Sequence, residues 1–237
     1  MSENTTSNNG LPLLMPAQAQ KHVTVNDALL RLDAMVDLVL QSLTRTTPPE
    51  LAPDGMCWAV PAGAVNGWQG KAGLIAIAAN GGWVFAAPKY GRRAFVADQG
   101  VQAIHDGQVW VAGALDLGGH GSGLVATQSS HEVTLTSGAQ IDSALIIPAG
   151  VMVIGVVARV TTAITGTLTS WRMGTPGAEN RFGEGLGKGQ GAWARGILSQ
   201  PMTYWDPAAV RLTATGGNFA GGKVRLVAHW LELRLPN

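Results

Sequence analysis

The chain has little cysteine, little charge and no apolar run of membrane length. Cys57 is the single cysteine in 237 residues. That excludes a disulfide within the chain and a thiolate metal cluster, and leaves Cys57 to read as a small buried hydrophobe. Only 13% of residues are charged and the formal balance is +1, which excludes a broad positive field able to grip a nucleic-acid backbone. The longest apolar stretch, residues 144–158, falls short of the ~20 residues a spanning helix needs. Pro148, Gly150 and Gly155 interrupt it, so it reads as two buried strands and no membrane insertion is expected. The opening MSENTTSNNG has neither the basic patch nor the apolar core of a secretory signal, and assembly in the cytoplasm is the expectation. His22, His105, His120, His131 and His229 are scattered without metal-ligand spacing. They read as polar surface or turn residues, and no metal or cofactor is expected.

Glycine, at 32 residues, is abundant, and strong helix formers are sparse beyond the first fifth of the chain. This composition predicts a mainly β body with many turns. Residues 1–47 read as an attachment tail and an oligomerisation helix. The polar residues 1–10 are expected to be mobile. Thr24 is a good helix cap with Asp27 three residues on, and a helix is predicted over 25–43, ended by Pro48 and Pro49. Val25, Leu29, Leu32, Val36, Val39 and Leu43 alternate steps of four and three, one apolar stripe that needs burial. It can zip to copies of itself or lie on the chain's own sheet. Few complementary charges flank the seam.

Residues 50–115 read as a small Trp/Gly-rich module, an antiparallel meander with strands over 56–60, 74–79, 83–87, 93–97, 101–105 and 109–112. Two turns rhyme: Asn80-Gly81-Gly82-Trp83 and Asp106-Gly107-Gln108-Val109-Trp110 each precede a Trp in the returning strand. Residues 116–130 read as a Gly-rich linker. Residues 131–237 are expected to form a β-sandwich, jelly-roll-like, with strands over 131–136, 141–147, 151–161, 167–173, 209–215 and 223–235.

The run FGEGLGKGQGAW, 182–193, invites a nucleotide reading that its details exclude. A phosphate loop needs Gly five residues before the Gly of the Gly-Lys pair and Ser or Thr after it; here Phe182 and Gly189 stand there. A dinucleotide fingerprint forced onto Gly187, Gly189 and Ala192 lacks its βαβ context. Ser122, between glycines in the linker, is not set in a strand-to-helix elbow. The glycine run reads instead as a long loop at the open end of the sandwich. It brings aromatic Trp193, Tyr204 and Trp205 near Glu179, Asn180, Arg181 and Arg195. Aromatic faces beside hydrogen-bonding groups suit the CH faces and hydroxyls of a sugar. Aromatic core packing is the competing reading. A glycosidase needs two converging carboxylates; Glu179 with Glu184 or Asp206 are the pairs available, and none carries a distinctive motif.

Three segments together resemble a known family. These are PAQAQKHVTVNDALLRLDAMVDLVLQSL at 16–43, the Trp/Gly-rich β module, and RLVAHWLEL near the C-terminus. They are similar to a domain family of alphaproteobacterial prophages and gene transfer agents whose members include virion head-spike fibres. The resemblance implies a virion protein assembled in the bacterial cytoplasm, not an enzyme. It further implies a homo-oligomer, most simply a trimer, joined to spike-base or capsid proteins through its N-terminal region and binding host capsular polysaccharide. A purely structural spike base and a capsule depolymerase are the alternatives.

Overall fold

The computed structural model describes residues 5–15 and 21–236. The first four residues of the polar tail, the 16–20 leader and the His22 side chain lie outside the described residues. The fold is mainly β with one short N-terminal helix and several sheets. The chain divides into two units, one of residues 1–123 with 236–237 and one of residues 124–235.

In the first unit, helix α1 (Lys21–Met35) precedes seven short strands: β1 (Val39–Leu40), β2 (Cys57–Ala59), β3 (Ile75–Ala79), β4 (Gly82–Ala86), β5 (Arg93–Val96), β6 (Val101–His105) and β7 (Trp110–Ala112). They form one sheet in the order β4-β3-β2-β1-β5-β6-β7. The six expected strands are present within two residues at either end. The meander is not continuous, however. It is two antiparallel ribbons, β2-β3-β4 and β5-β6-β7, and β1 joins their free edges by parallel pairing, Leu40 to Cys57 on one side and Val39 to Phe95 on the other. A two-residue strand is too short to announce itself in sequence, but it satisfies two open edges at once. The Asn80-Gly81 turn has positive φ at both residues, 52° and 71°, the backbone that a two-residue hairpin of primed type requires.

The helix differs from expectation at both ends. It begins at Lys21, so Thr24 lies inside it and does not cap it, and it stops at Met35. Asp37 then adopts a left-handed φ of 48° and the chain enters the sheet, so Val39 is a strand residue and Leu43 follows that strand. Burial is the reason. Ala34, Leu38 and Leu40 are the residues taken into the core with Ile75, Ile77 and Ala94, and no continuous helix presents all three to one sheet. Of the expected stripe, Val25, Leu32, Val36 and Val39 stay exposed and Leu29 and Leu43 are half-buried. The opposite sheet face carries Trp58, Trp68 and Trp83, ring centroids 5.1 to 6.0 Å apart.

The segment expected to be mobile is fixed over residues 5–12. Thr5 bridges Pro12, and Thr6 is buried. The Thr6 hydroxyl donates to the Asp33 carboxylate at 2.8 Å, as do the backbone N–H groups of Asn8 at 2.9 Å and Asn9 at 2.8 Å. Burial pushes the Asp33 pKa up, but these hydrogen bonds outweigh it and hold the carboxyl below its ordinary value. One buried carboxylate thus pins the tail to the helix.

The second unit has eight strands: β8 (Gly123–Thr134), β9 (Gln140–Ile147), β10 (Val151–Gly166), β11 (Ser170–Thr175), β12 (Ala178–Leu186), β13 (Trp193–Tyr204), β14 (Ala208–Thr215) and β15 (Phe219–Arg234). They make two four-stranded sheets, β13-β10-β15-β8 and β12-β11-β14-β9. Val153, Trp171, Met173, Leu212, Phe219 and Leu226 belong to one shared core. Two sequence expectations fail here. The second half of the expected linker is strand, because β8 starts at Gly123 and runs through the segment to Thr134. The long Gly-rich loop is half strand: β12 and β13 leave residues 187–192 between them. The glycines of the run meet open space or a single side chain, and Gly183, Gly185 and Gly191 take positive φ. A side-chain carbon at Gly196 would lie 2.2 Å from the Phe182 carbonyl oxygen, and one at Gly174 would lie 2.0 Å from that of Ala178. Glycine at these two positions, both outside the run, marks close backbone approach, Gly174 within its sheet and Gly196 between the two sheets, and composition alone cannot distinguish these roles.

Candidate functional site

The aromatic and polar residues expected to share one loop end do not all meet. Glu179, Asn180 and Arg181 are on β12, while Trp193 and Tyr204 stand at opposite ends of β13, with Trp205 just beyond. On the neighbouring strand Trp193 pairs with Arg159 and Tyr204 with Val151, and those partners lie ~26 Å apart along β10 at ~3.3 Å per residue. The set therefore splits in two. At one end the Arg181 guanidinium lies 5.9 Å from the Tyr204 ring centroid and also contacts the Met202 sulfur. The Asn180 amide donates to Glu184 at 3.2 Å. Trp205 is 80% exposed and forms one wall of a depression with Leu198, Gln200 and Met202. Glu179 is drawn elsewhere: its carboxylate accepts from the Gly177 N–H at 3.3 Å and stands 4.0 Å from Arg211. Arg211 grips Asp142 through two bonds of 2.6 and 2.8 Å, which holds the Asp142 carboxyl below its usual range. The carboxylates considered for hydrolysis, Glu179 and Glu184, are thus engaged by Arg211 and Asn180.

At the other end the sheet register assembles a different group. Arg159 on β10 pairs with Trp193 on β13 and with Arg225 on β15; two residues back, Val157 pairs with Arg195 and with Val227. Directly paired residues share a face. This is the outer one, because Ala158, Ala194, Leu226 and Ala228 between them are buried. The six side chains line a shallow depression of about 470 Å³. Trp193 is 63% exposed, with the Arg195 guanidinium 5.9 Å from its ring centroid. Arg225 donates to Glu132 at 3.1 Å and Lys223 lies 3.7 Å from the same carboxylate. Burial raises the Glu132 pKa, but hydrogen bonds from Thr161 and Arg225 with the charges of Lys223 and Arg225 bring it below the ordinary value. Among the described residues, Arg159 and Arg195 have no carboxylate partner.

Sequence reasoning placed Trp193 and Arg195 among the binding residues and missed Arg159 and Arg225. A signal for both was present. Arg159 is the one charged residue in the sixteen of β10, and Arg225 alternates with buried Val224 and Leu226, so period two alone assigns both to the outer face. Elsewhere, Cys57 is buried and its thiol is pushed up to about 12, chiefly by burial and also by the Asp33 charge. His105, read as a surface or turn residue, is buried against Trp110 at 5.1 Å between rings. No group of three metal-binding side chains occurs among the described residues, and no helix among them is long and apolar enough to cross a membrane.

A family model described as "Protein of unknown function (DUF2793)" matches residues 25–111, from within α1 into β7 and so confined to the first unit. No curated protein matches significantly. Among solved structures, a chain described as "Cyanophage Pam1 capsid asymmetric unit" aligns at 21% identity and a TM-score of 0.33, covering 50% of this chain and 92% of that chain.

Proposed function

We propose that this chain is a virion structural protein of the phage or gene-transfer-agent kind. Its first unit attaches it to the particle, and its second unit, a jelly-roll sandwich, holds host surface polysaccharide. The observation that carries the reading is strand connectivity. Counting the second unit's strands from one to eight, its sheets run 6-3-8-1 and 5-4-7-2, the order of two nested Greek keys. Jelly rolls of this kind recur in viral capsid and lectin domains. Fold alone does not assign function, and the surface supplies the rest: two tryptophans of this unit are largely exposed, Trp193 and Trp205, at opposite ends of one strand. An exposed indole with adjacent polar groups matches the mixed apolar and hydroxylated faces of a sugar. Two separated contacts along ~26 Å suit an extended chain more than a single small molecule. The sequence resemblance to head-spike fibres points the same way. In this reading the chain is not an enzyme; it works as a homo-oligomer, and weak contacts repeated across copies supply the avidity.

The test is binding of the full-length protein to capsulated cells and to an acapsular mutant of the same strain. Retention by the first and not by the second is the expected result. Equal binding to both removes the polysaccharide and leaves a spike base or adaptor. Release of reducing ends from purified capsule would turn the protein into a depolymerase.

A further inference from the structure

We propose that the outer face of β13, β10 and β15 is a binding site for an acidic sugar, with Arg159 and Arg195 holding its carboxylate and Trp193 lying against its ring. The proposal rests on the polysaccharide reading above and narrows it to a charged substrate class and a place. Three features of the face require an anion. Arg159 and Arg225 are direct cross-strand partners, and like charges so placed destabilise a sheet. Glu132 relieves Arg225 and Lys223 but leaves Arg159 and Arg195 uncompensated on the Trp193 side. The planar guanidinium forks of those two are built for a carboxylate, which they can meet with paired hydrogen bonds.

The neighbours select a sugar over other anions. Trp193 offers a flat apolar face beside the charges, and Val157 and Val227 provide an apolar floor; free phosphate would use neither. The two rows of side chains lie ~7 Å apart along the strands, about the width of one pyranose ring. A nucleic acid would need a longer positive track, and this one is closed off by Glu132.

The experiment is affinity electrophoresis of the full chain through gels holding polygalacturonate, or its methyl ester, which has the same sugar without the charge. The protein should be retarded by the acid polymer and at least tenfold less by the ester. Arg159→Gln and Arg195→Gln should each weaken retardation about fivefold, the scale of one exposed ion pair, and Trp193→Ala should weaken it in both gels. Lys89→Gln with Arg93→Gln removes twice the charge of either variant, from the first unit, and should change nothing. Equal loss in that control pair, or equal retardation by acid and ester, overturns the acidic site; equal retardation still leaves a neutral polysaccharide reading intact. No retardation in either gel, with capsule binding kept and lost on Trp205→Ala, moves the glycan to the far end of β13 and likewise overturns the site. A changed oligomeric mass in Arg159→Gln, with retardation unchanged, makes this face a subunit contact and rejects the proposal.

Discussion

In the first unit no strand exceeds five residues, and seven such pieces are held by a helix, three tryptophans packed edge-to-face or tilted and one buried carboxylate. In the second, two strands run sixteen residues each and the sheets meet over a mostly apolar core. Short strands gain few cross-strand pairs, so the first unit depends on a few local fixtures. The long strands spread the same task over many modest contacts. The first unit should therefore be the easier to unfold by a single polar change and the second by a single cavity.

The largest effect is expected from Trp171→Ala. Trp171 is fully buried and its indole N–H donates to the Gly187 carbonyl at 2.9 Å, so its removal should cost the second unit about 4 kcal/mol. Calorimetry of the full chain should show one transition moving down while the other stays; a common shift of both would mean that the units melt together.

Next comes Asp33→Ala, expected to cost the first unit about 3 kcal/mol, since it leaves the buried Thr6 hydroxyl and two backbone N–H groups without an acceptor. Susceptibility of the N-terminal segment to protease should rise with it. The same carboxylate sets an acid dependence. Its folded pKa is below the unfolded one, so its stabilisation is complete above the ordinary aspartate value of about 3.9 and is lost as pH falls through the folded value. Asp142 in the second unit shifts the same way but is half-exposed and should contribute little. Melting at successively lower pH below that value should lower the first transition more than the second, and Asp33→Asn should flatten the difference.

Gly196→Ala is expected to cost the second unit about 2 kcal/mol by driving a methyl group into the Phe182 backbone. An unchanged melting temperature would show that β12 and β13 do not approach closely at this point. The smallest effect is expected from Trp205→Ala, within about 0.5 kcal/mol of the parent in stability because its ring is largely in solvent. A clear drop in melting temperature would return this aromatic to the core.

The pattern of residues was sufficient for much of this architecture. Short runs bounded by turn residues marked β3, β5, β6 and β14, alternation marked most of β15, and Asn80-Gly81 marked its hairpin, because strand burial and turn backbone are local matters. The heptad over 25–43 was misleading past Met35. A four-three spacing states which residues want burial and does not state where the chain must bend to bury them, and Leu38 and Leu40 were worth more in the sheet than on a helix. Glycine misled in the other direction over residues 182–193, where half of the run is strand and Gly183, Gly185 and Gly191 supply positive φ. The candidate surface was half legible: Trp193 was read as a contact residue beside a glycine run with Arg195 nearby, whereas Arg159 and Arg225 lie 34 and 32 residues from Trp193 in sequence.

By itself the sequence determined a mainly β chain with a small Trp-rich part and a longer strand-rich part, no disulfide within the chain, and a formal charge balance of +1. Those properties follow from composition and from periods of two residues. Only the tertiary structure decided that β1 closes the first sheet, that Asp33 holds the tail, that Trp193 and Trp205 stand far apart, and that three arginines from three strands share one face. Each of these is a pairing of distant residues, and the register of a sheet is set by the summed burial of both partners, which no single segment contains.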